Sequence, residues 1–264
     1  MNLPQGSGHA RHAAPLRQAG VYAISRSAGV ATYVYPARSM SRQIIVADDH
    51  PLFREALKAA VGRLDRSVEF VEADSVAAML AAAEGNPGAD LLLLDLNMPG
   101  AHGFNALAHV RGTRPELPVV IVSADDDPQT IAAALRFGAL GFIPKSTEAG
   151  QIGRAIEAVL AGEIYTPPGY RAPRAPASSA EELEIARRIA ELTPQQFRVL
   201  GLLCAGLLNK QIAYDLDVSA ATVKAHVTAI LRKLGVTTRT QAVLAAGRLA
   251  TDRSSIKPPP EEFD

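Results

Sequence analysis

Asp48, Asp49, Asp95, Ser123 and Lys145 share one property in this sequence of 264 residues: each ends or directly follows a short apolar run. The runs, at 44–47, 91–94, 119–122 and 141–144, read as strands covered on both faces, which places the polar residues at the strands' carboxyl ends. Three carboxylates gathered there repel one another unless a cation joins them. An all-oxygen set suits Mg²⁺, which keeps several waters and accepts a phosphate oxygen as a further ligand. An ammonium and a hydroxyl beside it would take the remaining oxygens of a phosphoryl group, leaving one carboxylate to act as a nucleophile towards phosphorus. Singly these residues mean little: a carboxylate after a strand commonly caps a helix, Asp48-Asp49-His50-Pro51 could simply start one, and Lys145 could be a solvated loop residue. The ordered set is far more specific than its members.

The elements that would hold them are legible around them. A fifth apolar run at 70–73 completes five strands, and helix-like segments near 51–63, 75–84, 103–111, 128–137 and 148–162 follow them in turn. Pro128 suits a first helical turn. Five βα units in succession predict a doubly wound, five-stranded parallel α/β sheet with right-handed crossovers, with function at the carboxyl ends of its strands.

From Thr166 the chain is rich in Pro, Ala and Ser and reads as a linker over 166–190, in which 181–190 offers one further helix. Residues 191–250 are helical throughout. Thr193 and Pro194 open a helix that Gly206 ends, Asn209 caps a short helix through Asp215, and Asp217-Val-Ser turns the chain. Ser219 then caps a longer helix over 219–234, stopped by Gly235. Val223, Val227, Ile230, Leu231 and Leu234 recur on one face of it. Ala221, Ala225, Thr228 and Arg232 point the other way, with Lys224 at the margin. A face of small residues and cations, without acids, can enter a major groove closely. One such face alone is equally an ordinary solvated surface; the helices before it are what favour a helix-turn-helix.

Composition sets bounds on both halves. Apolar residues make up 48% and charged residues 20%, the balance of a water-soluble globular chain, with no run long enough to span a membrane. A net charge of zero conceals an asymmetry: residues 41–165 hold 10 Lys+Arg against 17 Asp+Glu, whereas 191–250 hold 7 against 3. Nucleic acid is the natural partner of a basic half. Cys204 is the single cysteine, which excludes a disulfide framework or a thiolate metal cluster; it reads as a core residue in a cytoplasmic protein. Residues 1–40 carry four Arg and no acidic residue, without the apolar core of a signal peptide, and read as a disordered extension or a start assigned too early. The tail 251–264 reads as frayed.

Ile45-Val-Ala-Asp-Asp-His-Pro-Leu-Phe-Arg, Leu92-Leu-Leu-Asp-Leu-Asn-Met-Pro-Gly and Gly138-Ala-Leu-Gly-Phe-Ile-Pro-Lys resemble the receiver domain of two-component response regulators, above all the NarL/FixJ group. The pattern from Leu192-Thr-Pro through Asn209-Lys-Gln-Ile-Ala and Ser219-Ala-Ala-Thr-Val-Lys-Ala-His to Lys233-Leu resembles the LuxR-type helix-turn-helix. The resemblance implies a receiver over 41–165, with Asp95 as phosphoacceptor and Mg²⁺ held by Asp48, Asp49, Asp95 and the backbone carbonyl of Asn97. It makes Ser123, Phe142 and Lys145 the switch and phosphoryl-binding residues; Phe142 stands where many receivers have Tyr. It places Lys210, Thr222, Lys224, Ala225, His226, Thr228, Arg232 and Arg239 at DNA, mostly on phosphates, and suggests that a final helix near 241–248 pairs two copies. Gln196 departs from the Glu common at its position. The implied function is a transcription regulator rather than an enzyme, phosphorylated by a sensor histidine kinase, a homodimer when phosphorylated, with no membrane partner. The alternative is a DNA-binding regulator whose receiver only dimerises. A phosphatase of the haloacid dehalogenase type would need a second acid two residues after its nucleophile, where this chain has Asn97. Region four of a sigma factor shares the helix-turn-helix but would not follow a receiver.

Overall fold

A computed structural model describes residues 25–27, 30–32, 41–63, 67–173 and 179–250. β1 (Ser25–Ser27) and β2 (Val30–Thr32) form an antiparallel pair in a unit of their own. The rest of the expected extension over 1–40, residues 174–178 of the linker and the tail 251–264 lie outside the described residues.

The five apolar runs form one parallel sheet. β3 (Gln43–Ala47), β4 (Glu69–Ala73), β5 (Leu91–Asp95), β6 (Val119–Ser123) and β7 (Gly141–Pro144) lie in the order β4-β3-β5-β6-β7. Every residue of β5 and β6 is buried, as Leu, Val and Ile sandwiched between helical layers must be. The connecting helices are α1 (Pro51–Gly62), α2 (Val76–Gly85), α3 (Asn105–Thr113), α4 (Pro128–Arg136) and α5 (Ala149–Leu160). Pro51 and Pro128 occupy first-turn positions, and the side chains of Ser75 and Asp127 accept backbone hydrogen bonds from Ala78 and Gln129. The strand order reverses between β3 and β5, which opens a crevice at their carboxyl ends.

The linker holds the helix expected over 181–190. Its second half is α6 (Ala180–Ala190), closed by reciprocal bonds between Ser179 and Glu182, with Ile185, Ala186 and Ile189 buried. Beyond it come α7 (Pro194–Cys204), α8 (Asn209–Asp215), α9 (Ala220–Leu234) and α10 (Arg239–Gly247). The expected stops hold: Gly206 and Gly235 have φ of 85° and 67°, and Asp217 takes φ 52° in the α8–α9 turn. One cap differs. The N-cap of α8 is Leu208, whose amide donates to Gln211 Oε1 at 2.7 Å, and Asn209 is the first helical residue, its side chain turned to Arg239.

Six consecutive residues of α3, from Asn105 to Val110, are buried, because the helix is covered twice: by the sheet on one side and by α6, α7 and α10 on the other. The Phe104 amide donates to the Leu249 carbonyl at 2.8 Å, and Asn105 Nδ2 donates to the Ala246 carbonyl at 3.2 Å. His102 Nε2 lies 3.1 Å from the Gly201 carbonyl. His109 stacks on Phe197, centroids 4.3 Å apart and planes 6° from parallel. Gly112 belongs to this contact. A β-carbon there would fall on Ala190 Cβ and within 2.8 Å of the Ala190 backbone, so close approach offsets the roughly 0.5–1 kcal/mol that glycine costs inside a helix.

Candidate functional site

β3 and β5 deliver Asp48 and Asp95 to the crevice, each 1% exposed, with Asp49 half-buried beside them. β7 delivers Lys145, whose Nζ lies 2.9 Å from Asp95 Oδ2 and 2.7 Å from Asp48 Oδ2. Burial pushes the Asp95 carboxyl above its ordinary range against the pull of Lys145. Burial alone would lower the Lys145 ammonium, but its bonds to Asp48 and Asp95 prevail and hold it above the usual lysine value. The Asn97 amide donates to Asp95 Oδ1 at 3.2 Å, fixing the β5–α3 turn so that Asn97 lines the crevice.

Single oxygens of Asp48, Asp49 and Asp95 and a ring nitrogen of His50 all lie within 4.8 Å of one another. Asp48 Oδ2 and Asp49 Oδ1 are buried without a directed hydrogen bond among the described residues, with Lys145 and His50 as their charged or polar neighbours. Such a donor set, rich in carboxylate and short of hydrogen bonds, fits a hard divalent cation. Ser123 is fully buried at the end of β6; its Oγ accepts the Asp125 amide at 3.2 Å, and its carbonyl accepts the Lys145 amide at 2.7 Å. Phe142, on β7, is fully buried.

The N-cap of α1, His50, and two residues of the helix, Phe53 and Arg54, belong to the site although the sequence did not single them out as site residues. His50 Nδ1 lies 2.8 Å from Asp49 Oδ1 and 3.1 Å from Asp48 Oδ1. Arg54 Nη1 donates to the Asp48 carbonyl at 2.7 Å while its Nε pairs with Glu72 at 2.8 Å. The Phe53 ring stands with its centroid 5.0 Å from Lys145 Nζ. Adjacency to the acids signals His50, whereas Phe53 and Arg54 look in sequence like ordinary helix residues. His50, Leu52, Phe53, Ala56, Asp95, Asn97, Ala124 and Lys145 enclose a cleft of about 430 Å³.

The second candidate surface is the outer face of α9. Ala221, Thr222, Lys224, Ala225, Thr228 and Arg232 are exposed, His226 is half-buried, and Lys210 is exposed on α8. Val223, Ile230 and Leu234 are buried, while Val227 and Leu231 are only partly so. Among the described residues no ion pair engages Lys210, Lys224 or Arg232. Lys233 is used internally, donating to the Glu191 carbonyl at 2.7 Å and to Gln196 Oε1 at 2.8 Å; a neutral Gln thereby serves as both helix cap and acceptor. Arg239 is not on this face. Its half-buried guanidinium bonds to the Leu207 carbonyl and lies 3.4 Å from Asn209 Oδ1, because unpaired carbonyls after α7 attract it.

Comparison with known proteins finds a separate family in each half of the chain. Residues 44–157 match the family described as the response regulator receiver domain, and 190–246 match the bacterial regulatory proteins of the luxR family. A glycerol metabolism activator of Pseudomonas putida is 44% identical over 214 residues, covering 78% of this chain and 95% of that protein. The nitrate/nitrite response regulator protein NarL of Escherichia coli (strain K12) is 31% identical over 202 residues, covering 76% and 93%. Among solved structures, the signal receiver domain of the putative response regulator NarL from Mycobacterium tuberculosis is 36% identical with a TM-score of 0.43, covering 47% of this chain and all of that one.

Proposed function

The chain belongs to the response regulators that join a receiver domain to a LuxR-type DNA-binding domain, and on that premise we propose that Asp95 is the phosphoacceptor that controls its DNA binding. The observation that carries this reading is the buried Asp95 carboxylate, paired to Lys145 at 2.9 Å and sharing its crevice with Asp48 and Asp49. Asp48, Asp49, Asp95 and the Asn97 carbonyl would hold Mg²⁺, which when bound neutralises charge on the transferred group. An Asp95 oxygen attacks phosphorus, the bond from phosphorus to the kinase histidine breaks, and the imidazole leaves. Lys145 and the Ser123 hydroxyl meet the phosphoryl oxygens, and Ala124 leaves them room. Drawing Ser123 towards the group, with Phe142 packed behind, biases a two-state rearrangement.

The receiver occupies 41–165 and the DNA-binding domain 191–250. Their output is the outer face of α9, set into a major groove: Lys210, Thr222, Lys224 and His226 on phosphates, and Ala225, Thr228 and Arg232 towards base edges. Arg239 supports this face from behind by holding the turn before α8. Two copies would pair when phosphorylated and read half-sites about one helical turn apart. The donor is a sensor histidine kinase, and the protein works in the cytoplasm, where the DNA is; no helix among the described residues is long and apolar enough to cross a membrane. A receiver kept only for dimerisation is not favoured, because that role requires none of the acid–lysine arrangement.

Incubation with a small phosphoryl donor such as acetyl phosphate tests the assignment. Wild type should acquire a base-labile acyl phosphate only with Mg²⁺ present, and Asp95→Asn should acquire none. A label that persists in Asp95→Asn, or forms equally in EDTA, overturns it.

A further inference from the structure

We propose that Phe53 is a positioning residue for phosphoryl transfer: its ring holds the Lys145 ammonium at the mouth of the crevice. The proposal rests on the reading of Asp95 as phosphoacceptor. Lys145 ends a flexible four-carbon stem, and three groups fix it: Asp48 Oδ2 at 2.7 Å, Asp95 Oδ2 at 2.9 Å, and the Phe53 ring at 5.0 Å. Its side chain is only 17% exposed. The two carboxylates are the anchors that transfer weakens, since Asp95 gives an oxygen to phosphorus and Asp48 turns to a cation. The ring is the one anchor of the three that is unchanged by the reaction. The attraction of an ammonium to an aromatic face strengthens as water is removed.

The ring is itself held firmly. Pro51 stiffens the first turn of α1, and Arg54, the next residue, bolts that turn to the Asp48 carbonyl at 2.7 Å and to Glu72 at 2.8 Å. Phe53 is therefore placed relative to the end of β3, the strand that carries Asp48. The ring also supplies, with Leu52, Ala56 and Ala124, the apolar wall of the cleft that opens on Asp95. That wall limits the hydration of Lys145, and a preorganised, poorly hydrated charge stabilises developing negative charge better than a mobile solvated one.

Two substitutions separate the ring from its bulk. Phe53→Leu keeps an apolar side chain without the aromatic face, and Phe53→Tyr keeps the face. The initial rate of Asp95 labelling is measured against acetyl phosphate concentration in the full chain, with the melting temperature as a check on folding. Phe53→Leu should lower the maximal rate about three- to tenfold, the factor such a contact is worth, with the half-saturating donor concentration unchanged. Phe53→Tyr should stay within about twofold of wild type. In a Lys145→Ala background Phe53→Leu should add nothing, because the ring acts through that ammonium. A wild-type rate in Phe53→Leu, a rate in Phe53→Tyr as low as in Phe53→Leu, or a full additional loss in Lys145→Ala each overturns the proposal. Absence of label from wild-type Asp95 overturns the phosphoacceptor reading instead, and the role of Phe53 falls with it.

Discussion

His109 takes no part in phosphate chemistry, yet it is fully buried between α3 and α7, with Nδ1 3.5 Å from the Ile189 carbonyl and Nε2 without a partner among the described residues. Burial pushes its pKa down to about 4 from an ordinary 6.5, against a weak opposing pull from that carbonyl. The packed state thus favours the neutral ring. Its contribution is fully present above pH 6.5 and is lost as pH falls from 6.5 towards about 4, where the unpacked state binds the proton and the packed one does not. His109→Phe, which keeps the stack on Phe197, should flatten the loss of thermal stability across that window, whereas wild type should lose several degrees; equal slopes would contradict the assignment. At this scale the sequence announced what ends a strand. Asp48, Asp49, Asp95, Ser123 and Lys145 were legible because each breaks an apolar run. Phe53 and Arg54 were not, since their roles depend on which residue of another element lies opposite. The direction of Arg239 was hidden for the same reason. Cys204 is core as expected, its thiol pushed by burial to about 12.

Among the elements, the five strands and five helices of the receiver could be drawn from periodicity to within a residue or two, because buried parallel strands are uniformly apolar. α3 was drawn two residues early, at 103–111 against Asn105–Thr113, and its structure says why. A helix covered on two sides carries no clean polar stripe, and Asn105, His109 and Gly112 look in sequence like interruptions. They are instead the residues that meet the second domain. α6 was legible over 181–190 even though its stretch begins as a Pro-rich linker; Ser179, Glu182, Ile185 and Ile189 carry its cap and buried face. Gly112→Leu probes the α3–α6 contact without touching the crevice or the outer face of α9. It should destabilise the packed arrangement by about 1–3 kcal/mol, the cost of overpacking, and enlarge the radius of gyration in small-angle scattering, with Asp95 labelling unchanged. An unaltered radius would contradict the close approach of Gly112 to Ala190.

For the whole molecule, α3 of the receiver packs against α6 of the linker and meets α7 and α10 of the second domain, while the outer face of α9 stays exposed. If Asp95 controls DNA binding as proposed, uncovering α9 is not the means, because that face is already exposed; the contact between receiver and second domain is then the element to be biased. The acidic and basic halves, legible as 17 Asp+Glu against 10 Lys+Arg and 3 against 7, correspond to the crevice and to that helix face. The contact between the halves was not legible, since it joins distant segments. The most direct test measures DNA affinity at fixed salt for wild type and Asp95→Asn, with and without beryllofluoride and Mg²⁺. The account predicts that the phosphate mimic tightens wild-type binding about tenfold, within the usual range for coupled sites, and leaves Asp95→Asn unmoved. Equal responses from the two proteins, or none from either, would contradict it.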